Sequence, residues 1–174
     1  MIKKQPLSKQ RASLLALCVF CFSLLTFNLK IVFIGEYHHT IDDKGRTSIP
    51  AKFRGGLASG CVVTRGLDKC LWIYPAQEWQ DLAEKIADLP ITQKNARSFS
   101  RLMLAGASDS NLDRIGRINL PSYLRSYADL KKEVVIVGIY NRIEIWPASA
   151  WEKFKGEMEE NSEEIAENLS EIGF

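Results

Sequence analysis

The chain has 174 residues, of which 46% are apolar and 25% charged, so it can bury a sizeable core and is not a disordered protein. The formal net charge of +2 is unevenly distributed along the chain. Residues 1–31 carry five basic and no acidic residues, residues 32–151 carry sixteen basic and thirteen acidic residues, and residues 152–174 carry two basic and eight acidic residues. The middle region, at +3, is too weak a field for charge alone to give tight nucleic-acid binding, and the tail, at −6, is acidic.

The first thirty residues have the charge pattern of a leader peptide. Four basic residues precede the apolar stretch 12–27, as in the n-region and h-region of a signal peptide. At 16 residues this stretch is short for a membrane span, which needs about 20, and no small-x-small cleavage site follows it. We favour a third interpretation, in which residues 1–31 are a mis-annotated extension and the natural protein starts near Val32.

The first half of the remaining chain predicts short strands that alternate with helices. A turn composition at 42–45, with a glycine that can take a positive φ, predicts a hairpin. Pro50 and Pro75 each favour the start of a helix. The predicted strands are 36–41, 46–49, 61–65 and 71–74, and the predicted helices are 50–55, 76–88 and 93–105.

The segment 42–54 recurs at 113–125, an offset of 71 residues. Five positions match between the copies: Asp42 with Asp113, Gly45 with Gly116, Arg46 with Arg117, Pro50 with Pro121, and Arg54 with Arg125. The similarity continues at an offset of 72, where a Val-Val pair and an aromatic-Pro-Ala motif followed by Trp also recur. Such self-similarity indicates two copies of one supersecondary unit.

The second copy predicts the same order of elements as the first. Its hairpin surrounds 114–116, a short helix starts at Pro121, strands cover 133–139 and 142–146, and an acidic helix runs from about 148 to about 170. Hairpins this short cannot bury both faces alone, so we expect the two units to interleave their strands into one small closed barrel. The predicted fold class is therefore α+β with a mainly β core.

The expected organisation has five parts. They are an extension at 1–31, a first repeat at 32–78, connecting helices at 79–106, a second repeat at 107–150, and an acidic C-terminal helix at 151–174.

The repeated motif places cations on two equivalent loops, which suits a nucleic-acid interface. These cations are Lys44, Arg46, Lys52 and Arg54 in the first copy and Arg114, Arg117 and Arg125 in the second. Lys and Arg contact phosphates, and Arg also reads guanine edges with two hydrogen bonds. Alternatively, each Asp pairs with the Arg four residues on and holds its hairpin shut. This alternative does not explain Lys44, Arg114 or the later arginines of each copy.

Other chemistries find little support in the sequence. His38 and His39 precede Asp42 and Asp43, but adjacent strand residues point to opposite faces and the second copy has no His, so we expect no metal site. The chain has no phosphate-binding loop, no GxGxxG motif and no nucleophile with a paired base. We expect no enzyme activity, no cofactor and no small-molecule substrate, and we expect the four Cys to be buried, reduced thiols.

The segment 35–46, Gly-Glu-Tyr-His-His-Thr-Ile-Asp-Asp-Lys-Gly-Arg, together with the twin Asp-x-x-x-Arg motifs, closely resembles the MraZ family. These proteins are bacterial transcriptional regulators of the AbrB-like superfamily. The resemblance covers about residues 32–170, and it includes the Pro after each motif, Thr-Arg-Gly-Leu-Asp at 64–68 and Asn-Arg-Ile-Glu-Ile-Trp at 141–146.

The resemblance implies a tandem swapped-hairpin β-barrel of the AbrB type with peripheral helices, assembled into a ring-shaped oligomer. It also implies a cytoplasmic, nucleoid-associated protein that binds double-stranded DNA at short direct repeats upstream of the operon for cell division and cell-wall synthesis. On this chain the implied DNA contacts fall on Asp42 to Arg46 and on Asp113 to Arg117, which adds Gly45 and Gly116 to the candidate site. Family members usually begin a few residues before the Gly-Glu-Tyr, which supports our interpretation of residues 1–31.

A different class of function stays open. The chain could be a membrane-anchored or protein-binding interaction module that uses its acidic C-terminal helix. A membrane anchor depends on residues 1–30 belonging to the natural protein. The acidic helix is more simply explained as a solvated face.

Overall fold

The computed structural model describes residues 32–170, so the expectations for residues 1–31, including Cys18 and Cys21, lie outside the described residues. The strands in this part of the chain are β1 Phe33–Thr40, β2 Arg46–Ser48, β3 Cys61–Arg65, β4 Leu71–Pro75, β5 Ser108–Ser110, β6 Arg117–Asn119, β7 Glu133–Tyr140 and β8 Arg142–Pro147. The α-helices are α1 Ala51–Arg54, α2 Ala76–Ala87, α3 Lys94–Leu104, α4 Ser122–Tyr127, α5 Ala148–Glu160 and α6 Ser162–Ser170. A single 3-10 turn, Gly55–Leu57, extends α1.

A proline stands immediately before a helix at the same two places in each repeat. Pro50 and Pro121 precede α1 and α4, and Pro75 and Pro147 precede α2 and α5. Each has φ between −58° and −48° and an extended ψ, so the chain leaves a strand and enters a helix at the proline. The helix starts predicted from these prolines are confirmed.

The strands of the two repeats pair with one another throughout the described chain. A six-stranded sheet has the order β1-β7-β8-β4-β3-β5, and β2 pairs with β6 as a separate two-stranded sheet. All of these pairings are antiparallel, and every strand has a partner in the other repeat: β1 with β7, β2 with β6, β3 with β5 and β4 with β8. The two repeats exchange strands in the same way. The first strand of each repeat pairs with the third strand of the other, as β1 does with β7 and β5 with β3.

The expected α+β class is confirmed, but the expected closed barrel is not observed. The six-stranded sheet is open, with β1 and β5 at its edges. A closed barrel would require β2 and β6 to pair with the edge strands β1 and β5. Each is only three residues long, however, and they pair with each other. A single bridge, between Ile41 and Thr47, joins β2 to the chain that leaves β1.

The main core fills the space between the six-stranded sheet and the β2–β6 pair. Equivalent apolar side chains of the two repeats meet there, and the fully buried ones include Phe33, Ile49, Phe53, Ile73, Ile118, Leu120, Leu124, Ile136 and Ile143. The Phe53 ring makes edge contacts with the rings of Phe33 and Tyr37, at centroid distances of 5.4 and 5.2 Å. A second cluster, built on Trp146 and Trp151, lies on the other side of the sheet beneath α5.

The two cysteines in the described chain, Cys61 and Cys70, are buried free thiols, as expected. Burial raises the pKa of Cys61 to about 11 and that of Cys70 to about 12, because the charged thiolate would lose its hydration. Neither is therefore suited to act as a nucleophile near neutral pH.

The acidic C-terminal segment forms two helices, where the sequence predicted one. Asn161 lies between α5 and α6 with φ −103° and ψ 14°. Its backbone N makes the usual helical bond to the carbonyl of Glu157 at 3.2 Å, but its side-chain Nδ2 donates to the same carbonyl at 2.7 Å, and such side-chain bonding by Asn competes with a regular helix. Among residues 32–170, no helix combines the length and the hydropathy that a membrane crossing requires.

Glycine at two turns is required both by backbone conformation and by packing, which gives a test of the interleaved fold. Gly45 and Gly116 have φ of +78° and +82°, and a Cβ at either position would collide with the Arg side chain of the opposite repeat, Arg125 or Arg54. We expect Gly45→Ala and Gly116→Ala each to lower the free energy of unfolding by about 1–2 kcal/mol or more.

Urea unfolding followed by circular dichroism measures this loss. Gly55→Ala is the matched control, because Gly55 has a helical φ of −57° and open space where the Cβ would stand. That change should leave stability unaltered or raise it by about 0.4–1 kcal/mol. Equal effects of all three substitutions would contradict the packing described here.

Candidate nucleic-acid interface

The Asp-x-x-x-Arg motif of the first repeat closes its own turn. Asp42 Oδ1 accepts hydrogen bonds from the backbone N of Lys44 at 3.0 Å and of Arg46 at 2.9 Å. Asp42 Oδ2 accepts from Arg46 Nε at 2.9 Å and lies 2.7 Å from Arg46 Nη2. Backbone bonds from Asp42 N to Arg46 O and from Gly45 N to Asp42 O complete the turn.

The second motif has the same geometry at the equivalent positions. Asp113 Oδ1 accepts from the backbone N of Ile115 and Arg117, and Asp113 Oδ2 accepts from Arg117 Nε at 2.9 Å and lies 2.8 Å from its Nη2. The hairpin clamp proposed as an alternative to DNA contact is therefore present in both copies. The two motifs also approach each other, since Arg117 Nη1 lies 3.6 Å from Asp42 Oδ2.

These hydrogen bonds hold both carboxylates in their charged form. The side-chain bond from Arg46, followed by the backbone bond from the same residue, lowers the pKa of Asp42 to about 2. The backbone bond from Arg117 contributes most to lowering the pKa of Asp113. Both Asp–Arg pairs keep their charges throughout the physiological pH range.

The paired strands β2 and β6 carry the two motifs on one polar surface. We use the name ribbon for β2 and β6 together with the turns 42–45 and 113–116 that precede them. In the register, Arg46 faces Asn119 and Ser48 faces Arg117. Alternation places these four side chains on one side, while Thr47 and Ile118, at 1% and 0% exposure, point into the core. The arginines stay accessible, with side chains 30% and 27% exposed.

Backbone hydrogen bonds between the repeats fix the ends of the ribbon. Ile49 N donates to Gly116 O, and Leu120 N donates to Gly45 O, both at 2.9 Å. Each turn glycine is thus held by the residue that follows the other repeat's strand. Because these bonds join the two repeats, neither repeat can form the ribbon alone.

Arg54 and Arg125, which the sequence placed among the cationic contacts, lie over these turn glycines. Arg54 Nε donates to Ile49 O at 2.8 Å, and Arg125 Nε donates to Leu120 O at 3.0 Å. Their side chains cover Gly116 and Gly45 of the opposite repeat. Both arginines are partly buried and hold the turns in place, so their first role is structural.

The remaining cations predicted at the site are exposed. Lys44 and Arg114 stand at the two turn tips, and no acidic partner for either is found among the described residues. Lys52 is exposed on α1, but the second repeat has Tyr123 in its place, whose hydroxyl donates to Gly106 O at 3.2 Å. A basic side chain at this position is therefore not a feature of both repeats.

Sequence reasoning missed two residues of the polar surface, Ser48 and Asn119. Neither is charged, and neither belongs to the Asp-x-x-x-Arg motif. The available signal was the alternation of a strand, because each lies two residues after a motif Arg and so shares its face.

The two histidines point to opposite sides of β1 and so do not form one site. His38 Nε2 lies 3.4 Å from Glu36, and Glu36, His38 and Glu152 offer ligand atoms within 4.8 Å of one another. Lys155 Nζ already lies 3.5 Å from Glu36, so this cluster contains its own cation. His39 lies on the other side of β1, and burial lowers its pKa.

Comparison with known proteins identifies close relatives. Residues 32–102 and 103–171 each match the family described as "MraZ protein, putative antitoxin-like". The chain is 51% identical over 138 residues to the transcriptional regulator MraZ of Natranaerobius thermophilus, which covers 79% of this chain and 96% of the relative. It is also 51% identical over 142 residues to the transcriptional regulator MraZ of Halothermothrix orenii, which covers 82% and 99%. Each matched segment contains one Asp-x-x-x-Arg motif.

The lowered pKa values of Asp42 and Asp113 predict a specific dependence of stability on pH. A carboxyl whose pKa is lower in the folded chain stabilises the fold above its unfolded pKa, about 3.9, and loses this effect as the pH falls through the folded value, about 2 for Asp42. We expect the double variant Asp42→Asn, Asp113→Asn to melt below the parent at pH 5–7. This difference should shrink between about pH 4 and pH 2.

Thermal unfolding of both proteins across this pH range provides the test. Asp43→Asn, at the exposed neighbouring position of the same turn, is the matched control and should follow the parent at every pH. Curves for the parent and the double variant that stay parallel down to pH 2 would contradict the clamp.

Proposed function

The chain belongs to the MraZ family of transcriptional regulators, and we propose that it binds double-stranded DNA by placing the ribbon in the major groove. The proposal rests on the outer face of the ribbon. There Arg46 and Arg117, each held by an Asp, lie beside Asn119 and Ser48. The major groove admits a two-stranded β-ribbon, and it presents a distinct set of donors and acceptors for each base pair.

The clamp and the DNA contact are compatible in this geometry. Arg46 uses Nε and Nη2 for Asp42, which leaves its Nη1 group for a base or a phosphate. A guanidinium that is already fixed loses less conformational freedom on binding than a free side chain. Arg117 likewise uses Nε and Nη2 for Asp113, while its Nη1 lies 3.6 Å from Asp42 Oδ2, a longer contact that DNA would replace. Each Asp therefore positions an Arg, and each Arg makes the contact.

The other site residues divide by position. The exposed tips Lys44 and Arg114 contact phosphates at the two ends of the ribbon, and Lys52 adds a phosphate contact in the first repeat only. Arg54 and Arg125 shape the turns from beneath and are not proposed as direct contacts. Gly45 and Gly116 allow the chain to turn, as described above.

The two ends of the ribbon differ, which favours binding to repeats in one orientation. Ser48 is equivalent to Asn119, and Lys44 is equivalent to Ile115, which is 61% exposed. Asn pairs well with adenine, whereas apolar side chains contact the methyl group of thymine. A ribbon with unlike ends reads a non-palindromic element, and we propose that several such elements lie as direct repeats in one promoter, as the family resemblance implies.

We also propose that several subunits act together. With sixteen Lys and Arg against thirteen acids in residues 32–151, one subunit has a weak field, so its affinity for a single element is modest. An oligomer, such as the ring implied by the family, would bind several elements at once and gain by effective concentration. We further propose a swapped-hairpin arrangement of the AbrB type without a closed barrel, because the two repeats exchange strands although the six-stranded sheet is open.

Arrays of the DNA element test the proposal. A duplex element selected from random DNA is built into arrays of one and three copies, either all in one direction or with the middle copy inverted. We expect the three direct copies to bind about 10²-fold more tightly than one copy, and the inverted array to lose most of this gain.

Fluorescence anisotropy at a fixed salt concentration measures these affinities. A scrambled duplex of the same length serves as the control for binding by charge. Equal affinity for one copy and for three direct copies would exclude cooperation between subunits. Equal affinity for the direct and inverted arrays would exclude an oriented ribbon.

A further inference from the structure

Helix α6 is an amphipathic helix that has no packing partner in the described chain. All nine of its residues are exposed, and Ile165 and Leu169 lie one turn apart with 43% and 38% of their surface accessible. A helix shorter than about 12–15 residues is marginally stable in water by itself. Its apolar stripe is therefore suited to pack against another surface.

The charge of α6 is of one sign. Glu163, Glu164 and Glu167 are its charged residues, and Glu159 and Glu160 precede it at the end of α5. The solvated-face explanation accounts for the acids, but not for the exposed Ile and Leu. A surface that accepts this helix needs an apolar floor and a basic margin.

Such a surface lies between α2 and α3. A groove of about 300 Å³ there is floored by Ile86, Leu89 and Ile91, and its charged lining residues are Arg97 and Arg101. Ile91 is 77% exposed, more than any other large apolar side chain among residues 32–170. Arg97 Nη1 donates to the carbonyls of Ile91 and Thr92, at 2.7 and 2.9 Å, and so holds the loop in shape.

We infer that α6 of one subunit docks in the α2–α3 groove of a second copy of this chain. The helix does not occupy its own groove, because all of its residues are exposed. Acidic α6 and the two arginines of the groove are complementary in charge, and Ile165 and Leu169 supply the apolar contact. The inference rests on the proposed oligomer and names the surfaces that form it.

The contact joins unlike surfaces, and this determines what it can build. Each subunit would offer one groove and one helix, so the contact is head-to-tail. Head-to-tail contacts continue from subunit to subunit until they close into a ring. They leave the ribbon, a different part of the chain, available for DNA.

Two variants used separately and then mixed test this contact. Ile91→Asp places a charge in the apolar groove and leaves α6 unchanged. Leu169→Asp places a charge in the apolar stripe of α6 and leaves the groove unchanged. We expect each variant alone to be monomeric by size-exclusion chromatography with multi-angle light scattering in the absence of DNA, while the parent chain associates. An equimolar mixture should form a dimer, because the intact helix of one variant fits the intact groove of the other.

Leu67→Asp, at another exposed apolar position, is the matched control and should leave the parent's mass distribution unchanged. Circular dichroism and melting temperature check that both variants fold. The inference is overturned if either variant keeps the parent's mass, or if the mixture stays monomeric. It is also overturned if a chain starting at Val32 is monomeric, since association would then require residues 1–31 rather than the helix and the groove.

The same variants separate this inference from the proposed function. Binding of the monomeric variants to a single DNA element reports the ribbon alone. Unchanged single-element binding with loss of assembly supports both proposals. If the parent and the variants are all correctly folded and none of them binds a single element, the DNA proposal is wrong. The inferred contact between subunits would not be affected by that result.

Discussion

The structure depends on a reciprocal pair of backbone contacts between the two repeats. Each turn glycine accepts a hydrogen bond from the residue that follows the other repeat's strand, and each is covered by the other repeat's Arg. Each Asp-x-x-x-Arg turn closes itself, but its glycine is held in place by the opposite repeat. This constraint explains why Gly, Pro and the second Arg recur at the same offset, and why the ribbon carries both motifs on one face.

The Asp–Arg pairs matter more for geometry than for stability. Partly exposed ion pairs contribute little to the folding free energy in water, because solvent screens them and the side chains lose freedom. The lower melting temperature expected of the Asp42→Asn, Asp113→Asn variant therefore comes mainly from the backbone N–H groups that each carboxylate binds. Asp42 and Asp113 instead fix the rotamers of Arg46 and Arg117, and the strong hydrogen bonds keep both carboxylates charged. A fixed guanidinium directed away from the core suits the reading of a base edge.

Much of this arrangement could be predicted from the sequence, because the chain contains its own comparison. The repeat located the hairpins, the helix starts at Pro50 and Pro121, and the Asp42–Arg46 and Asp113–Arg117 pairs. The sequence could not distinguish an open sheet from a closed barrel, since closure depends on how far two three-residue strands extend. The sequence also could not separate the roles of Arg46 and Arg54, because both are cations that lie four residues from Pro50. Only the fold shows that Arg54 lies over a glycine of the opposite repeat.

The central claim is that the clamped arginines of the ribbon contact DNA, and one binding measurement tests it most directly. The double variant Arg46→Ala, Arg117→Ala is assayed on a single DNA element, well below its melting temperature, beside Lys44→Ala, Arg114→Ala. We predict that the first variant loses about 10–100-fold in affinity for each Arg and loses its preference over scrambled DNA. The second should bind all sequences more weakly, with a smaller dependence on salt. If the Arg46/Arg117 variant melts early and yet binds the element as tightly as the parent, the arginines serve only the fold and the claim is wrong.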